Sequence, residues 1–282
     1  MAQRPSSATA VSSVGQGGSY VSPRSALKPG DFTGLAENYS AYRTGYAPSV
    51  RAALLGLLGR PAGELDAVDV GAGTGIWTRM LHEAGFRSVT AVEPNDDMRS
   101  VGMRDSKGLG ISWRTGTGES TGLPDAAADL VTMASSFHWV DFDQGTAEFH
   151  RVLRPGGWFA ALWSTRLLQA NPLLAEIEEE LNRLHPGLRK SAFGRSGFTE
   201  TLTERLAAHP LFDDVTTLEG RHVVTQTVEH HLGLWRSVND VRSQLGEEKF
   251  ARFLDHVERR LAHVETVEVT YLSRAWAVRR RD

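Results

Sequence analysis

Cysteine is absent from this 282-residue sequence. Disulfides, a thiolate nucleophile and cysteine-ligated metal are therefore excluded, and the absence fits a reducing compartment. No apolar run reaches the roughly 18 residues that a membrane-spanning helix needs. An excess of one charge is missing too. Lys and Arg number 31 against 34 Asp and Glu, a net charge of −3, which provides no basic field for holding nucleic acid. The opening stretch MAQRPSSATAVSSVGQGGSY lacks the apolar middle of a secretory signal. His230-His231 has no further ligands at metal spacing, so no metal site is expected. These absences lead to the expectation of a cytoplasmic chain whose partners include neither membrane nor nucleic acid.

What remains is ordinary globular material, 40% hydrophobic and 23% charged. Residues 1–30 are rich in Ser, Gly and Pro, which predicts a disordered tail. Residues 31–60 predict an N-terminal helical cap, with a helix over 48–58 that carries Pro48 in its first turn. Over 61–163 strands and helices alternate. Strands are predicted at 67–70, 89–93, 111–114, 130–134 and 158–163, and helices at 76–84, 98–104 and 144–153. That rhythm implies an α/β, Rossmann-like, doubly wound sheet with mostly parallel strands. It stops after Trp163. Leu174, Ile177, Leu181 and Leu184 share a helical face, so 164–210 predicts a helical lid. Residues 211–282 then complete the sheet, with strands at 215–218, 223–224 and 267–278 and a helix over 247–264.

The strongest chemical signal is Asp69-Val70-Gly71-Ala72-Gly73-Thr74-Gly75, which follows one predicted strand and opens one predicted helix. A chain that turns sharply and lets a ligand approach its backbone needs glycine there. Asp69 sits just before the turn, suited to accept hydrogen bonds from a ligand or from loop amides. A dinucleotide fingerprint, G-x-G-x-x-G, fails in both registers: Ile76 or Thr78 stands where its third glycine belongs. No G-x-x-x-x-G-K-[ST] is present either. Glu93 ends the second strand, and a doubly wound sheet brings it beside the glycine turn, where a carboxylate can accept from both hydroxyls of a ribose. Pro94 stiffens the exit, and Met98 is placed either against an adenine ring or in a helix core.

DVGAGTG, VEPNDDM, GTGESTGLPDAAADLV, SSFHW and RVLRPGG, in this order, resemble class I S-adenosylmethionine-dependent methyltransferases. The resemblance is to the group around the ubiquinone-biosynthesis C-methyltransferases and trans-aconitate methyltransferase, and covers roughly residues 32–165. It implies a seven-stranded sheet with an antiparallel last strand, S-adenosyl-L-methionine as cofactor and a small-molecule acceptor. Gly71, Ala72, Gly73 and Gly75 would border the cofactor's methionine and ribose, Glu93 the ribose hydroxyls, and Gly118 and Glu119 the adenine edge. Tyr39, Arg43 and Tyr46 would cover the methionine tail, with Arg43 on its carboxylate. Ser135 would lie where methyl donor and acceptor meet. His138 would be either a base or a shaping residue. Two other activities share these motifs: cyclisation of the cofactor's aminobutyrate arm to azetidine-2-carboxylate, and cofactor binding without catalysis.

Overall fold

A computed structural model describes residues 32–188 and 197–282. The predicted tail over 1–30 lies outside the described residues, as does the stretch 189–196 within the predicted lid. Strands β1 (Asp66–Val70), β2 (Ser88–Val92), β3 (Ser112–Arg114), β4 (Ala128–Ala134) and β5 (Leu153–Arg166) pair in parallel. Strands β6 (Thr216–Thr227) and β7 (Thr266–Arg279) follow, and β7 runs antiparallel to both β5 and β6. The seven-stranded order is β3-β2-β1-β4-β5-β7-β6. Strand order reverses between β1 and β4, and a crevice opens there at the carboxyl ends of the strands, the general binding place of such sheets.

The two faces of the sheet are covered because the inner strands are apolar on both sides. On one face, α2 (Pro48–Leu57) and α3 (Ile76–Glu83) lay Val50, Leu54, Trp77 and Leu81 over Leu130, Ala160, Leu162 and Ala275. On the other, α5 (Phe142–Val152) and α7 (Leu202–Ala207) pack Phe149, Val152, Leu202 and Leu206 against Val131, Met133, Phe159 and Trp276. Each such large apolar side chain contributes about 1.5–3 kcal/mol on burial. At the rim, α1 (Ala36–Tyr42) rests on α4 (Asp96–Asp105) through Ala36, Met98 and Val101. A separate cluster joins α6 (Pro172–Leu184), α8 (Val228–Arg236) and α9 (Asn239–Leu261) to the first half of β7, around Ile177, Trp235, Phe253 and Tyr271. No helix among the described residues is long and apolar enough to cross a membrane.

Several elements differ from their sequence-based expectation. Segment 164–210 is not one lid: β5 runs on to Arg166, α6 joins the helical cluster, and α7 packs on a face of the sheet. The reason is the apolar pair Leu202 and Leu206, which finds the aromatic floor of Phe159 and Trp276, with Trp276 Nε1 donating to Thr203 Oγ1 at 2.8 Å. Likewise 31–60 is not all cap, since α2 is part of the sheet's covering layer. The two short strands expected near 215–224 are one strand, β6. Gly220 inside it admits α2, for a Cβ there would sit 2.5 Å from Ser49 Oγ. The α9 helix starts earlier than expected and breaks at Gly246, whose φ of 74° is left-handed.

Candidate active site

A cavity of about 330 Å³ occupies the crevice at the switch point. Its floor is the turn after β1. The Gly71 and Ala72 amides both donate to Val92 O, at 2.8 and 3.1 Å, so the turn folds back on β2. Gly71 and Gly73 have φ of 65° and 57°, conformations costly for any residue with a Cβ. At Gly71 a Cβ would also meet Ser136 at 2.7 Å.

Glu93 projects into this turn from the end of β2. Its Oε2 accepts from the Gly73 amide at 2.7 Å and its Oε1 from the Asn95 amide at 2.8 Å. Burial pushes its carboxyl up from the usual value, and the two amides oppose that shift. Asn95 caps α4 by accepting from the Met98 amide at 3.0 Å, which settles buried Met98 next to Gly73. Pro94, Thr117, Gly118 and Glu119 continue the wall. Glu119 Oε1 accepts from the Asp141 amide at 2.9 Å, and Gly118 is held tight against Val140.

At the end of β4, Ser135 adopts a left-handed φ of 59°. Such a non-glycine conformation costs roughly 1–3 kcal/mol and is held here by its own amide, which donates to Leu162 O at 2.7 Å. The strain turns Ser135 Oγ to within 2.8 Å of Tyr46 Oη. Tyr46 is buried edge-on against Trp77, and burial raises its hydroxyl well above the usual range. Arg43 donates from Nε to Ser237 Oγ at 3.0 Å and lies 4.9 Å over the Tyr39 ring. Tyr39, Arg43 and Tyr46 all line the cavity.

His138 follows on a short 3₁₀ turn, Phe137–Trp139, between the Trp139 ring at 4.5 Å and the Trp163 ring at 6.2 Å. Both its ring nitrogens are buried without a hydrogen-bond partner among the described residues. Burial pushes its pKa down to about 4, so the imidazole is neutral near pH 7.

Residues 68–161 match a family described as a methyltransferase domain. The chain carries a methyltransferase domain. An uncharacterised methyltransferase of Mycobacterium tuberculosis (strain ATCC 25618 / H37Rv) is 38% identical over 128 residues, 45% of this chain and 49% of that protein. A ubiquinone/menaquinone biosynthesis C-methyltransferase of Rubrivivax gelatinosus is 34% identical over 96 residues, 34% of this chain and 38% of that protein. The chain thus spans about half the length, or less, of these relatives. A solved structure described as a candidate type II methyltransferase from Anaeromyxobacter dehalogenans is 26% identical, with a TM-score of 0.57, over 84% of this chain and 98% of that one.

Within the methyltransferase domain two expected site residues lie off the cavity wall. Asp69 is buried beneath the turn and accepts from Thr78 Oγ1 at 2.6 Å and Thr132 Oγ1 at 3.2 Å. It braces β1 to α3 and β4, and burial pushes its carboxyl up to about 7. Gly75 instead starts α3 with a φ of 79°, where a Cβ would meet the Trp113 ring at 2.9 Å. The other expected residues, from Tyr39 to His138, share the one cavity. Residues beyond the methyltransferase domain add a wall that the motifs do not mark: Ser164, Arg166, Leu234 and Tyr271. Arg166 is buried and pairs with Glu178 Oε1 at 3.0 Å.

Proposed function

We propose that the protein transfers a methyl group from S-adenosyl-L-methionine to a small-molecule acceptor by in-line displacement. The observation that carries this is the Glu93 carboxylate, fixed by the Gly73 and Asn95 amides on the rim of a cavity that continues past Ser135 to a second wall. The residues fit the cofactor. Each Glu93 oxygen takes one amide, which leaves further lone pairs for two ribose hydroxyls. The Gly71–Gly73 turn carries no side chain larger than the Ala72 methyl, which leaves room for a thin ligand. Met98, Gly118 and Glu119 would enclose the base, while Tyr39 and Arg43 would hold the amino-acid tail.

S-adenosyl-L-methionine supplies a methyl group already activated by the neighbouring sulfonium. The protein's part is alignment and exclusion of water. Tyr46 and strained Ser135 set the junction between the two halves of the cavity. His138, neutral and with both ring nitrogens unpartnered among the described residues, would accept a hydrogen bond from the acceptor's nucleophile. Trp139 and Trp163 flank it, and buried Trp163 would keep water from the inner side of the junction. Calorimetry with S-adenosylhomocysteine and with NAD tests the cofactor half: we expect binding of the first only. Product analysis tests the reaction. Methyl transfer releases S-adenosylhomocysteine only with an acceptor present, whereas release of methylthioadenosine without one would replace it by cyclisation.

A further inference from the structure

The wall opposite the glycine turn is built from hydrogen-bond donors. Arg166 and Tyr271 are cross-strand partners on β5 and β7, and Ser164 pairs with Ser273 two residues along. Their side chains therefore stand on one face of the sheet, and Ser164, Arg166 and Tyr271 all line the cavity. Arg166 has only donors to offer. Glu178 holds it from α6 at 3.0 Å, and the Trp235 ring lies 4.2 Å from its guanidinium carbon.

The direction of the hydroxyl donors follows from the groups behind them. Trp235 Nε1 donates to His231 Nε2 at 3.3 Å, so His231 carries its proton on Nδ1. That nitrogen is 3.2 Å from Gln226 Oε1, to which it donates. The Gln226 amide is thereby oriented, and its Nε2 donates to Tyr271 Oη at 3.4 Å. Each member has one role left by the member before it. Tyr271 Oη, having accepted, directs its own proton onward. The same holds for Ser164: the Ala47 amide donates to Ser273 Oγ at 2.8 Å, and Ser273 Oγ donates to Ser164 Oγ at 3.2 Å. Burial pushes His231 down to about 3, which keeps this arrangement in a single protonation state near neutrality.

Two hydroxyl protons and a guanidinium thus converge on one wall, and no carboxylate is among the described residues that line it. We infer that this wall receives a carboxylate on the acceptor molecule, with Arg166, Tyr271 and Ser164 as specificity-determining donors. The inference rests on the methyltransferase reading, because it assumes that the cofactor fills the end at Glu93. Glu178 balances the charge of Arg166, and Arg43 is left to the cofactor's amino-acid tail, so the aimed donors of this wall carry the recognition. The acidic groups Glu93 and Glu119 belong to the cofactor end of the cavity.

Benzoate and its isostere benzamide serve as probes, each titrated into the protein saturated with S-adenosylhomocysteine and followed by ligand-observed NMR. Benzoate is expected to bind at least tenfold more tightly than benzamide. Arg166→Gln alone strands the Glu178 carboxylate in the interior, so the variant of choice is Arg166→Gln with Glu178→Gln. That pair of changes and Tyr271→Phe should each erase or reduce the preference for benzoate while S-adenosylhomocysteine binds as in the wild type. Equal binding of the two probes, or saturable binding of neither, overturns the inference. Loss of S-adenosylhomocysteine affinity in the double variant also overturns it, and assigns the wall to the cofactor's own carboxylate. A wild-type protein that fails to bind S-adenosylhomocysteine would instead sink the methyltransferase reading itself.

Discussion

Replacing Glu93 with alanine separates two roles that its geometry combines. The carboxylate accepts the Gly73 and Asn95 amides, at 2.7 and 2.8 Å, and is proposed to accept two ribose hydroxyls. Each hydrogen bond to a charged group is worth about 1.5–3 kcal/mol, and water recovers part of it once the side chain is gone. We expect S-adenosylhomocysteine affinity to fall about tenfold to several hundredfold. The free protein should suffer too. Two loop amides lose their partner in a place where Glu93 itself is only 6% exposed. Orphaned buried donors cost about 1–3 kcal/mol each, while removing a carboxylate whose pKa burial raises returns some of that. A net loss of about 2–4 kcal/mol lowers the melting temperature by roughly 5–15 °C. Glu93→Gln, which keeps one carbonyl acceptor, should fall between wild type and Glu93→Ala on both measures. Isothermal and scanning calorimetry read the two effects separately. Unchanged affinity in a folded Glu93→Ala protein would refute the ribose assignment. An unchanged melting temperature would refute the claim that Glu93 organises the turn.

Three further outcomes are expected. Gly73→Val forces a β-branched residue into a φ of 57°, with its Cβ 3.4 Å from Met98 Cε, and should abolish S-adenosylhomocysteine binding; wild-type affinity by calorimetry would mean the turn faces away from the ligand. Asp69 has its folded pKa raised from 3.8 to about 7, so its contribution to stability is present below about pH 4 and is lost as pH rises through 7. Asp69→Asn should therefore gain on the wild type between pH 5 and pH 8 in urea denaturation, and a pH-independent difference would contradict this. His231 works in the other direction. Its pKa falls from 6.5 to about 3 on folding, so its contribution is complete above pH 6.5 and declines as pH falls, by up to about 1.4 kcal/mol per pH unit. His231→Phe should flatten the loss of stability between pH 7 and pH 5, and an unaltered slope would show that the group titrates alike in both states.

The Glu93 end of the cavity was legible in the sequence because its parts are local. A short apolar strand, a glycine turn and an acid at the end of the next strand lie within 67–93, and a doubly wound sheet brings them together whatever the rest of the chain does. Asp69 shows the limit of that reasoning. Its residue type suits a ligand contact, but its depth is set by Thr78 and Thr132, which approach from other elements. The opposite wall was not legible. Arg166 looks like any charged residue after an apolar run, and only the antiparallel register with Tyr271 gives it a place. The Gln226–His231–Trp235 chain spans the end of β6 and α8, and α8 itself carries no long apolar period to announce it. The extension of β5 through Arg154-Pro155-Gly156-Gly157 was hidden for a similar reason: those residues read as a turn, and the sheet accommodates them with a shift of register against β4.

The position of β7 between β5 and β6 has a consequence for the order of events during synthesis. A ribosome delivers β5, then β6, then β7, but among the described residues β6 has no neighbour in the sheet other than β7. While the chain emerges, β5 offers an open edge and β6 waits with its backbone groups unpaired. A single late strand then closes both gaps at once. The glycine turn and Glu93 depend on strands already made, whereas Arg166 and Tyr271 meet only at that last step. The Glu93 end of the cavity can thus mature before the Arg166 end exists. Until β7 docks, the chain presents an unprotected strand edge of the kind that recruits other chains.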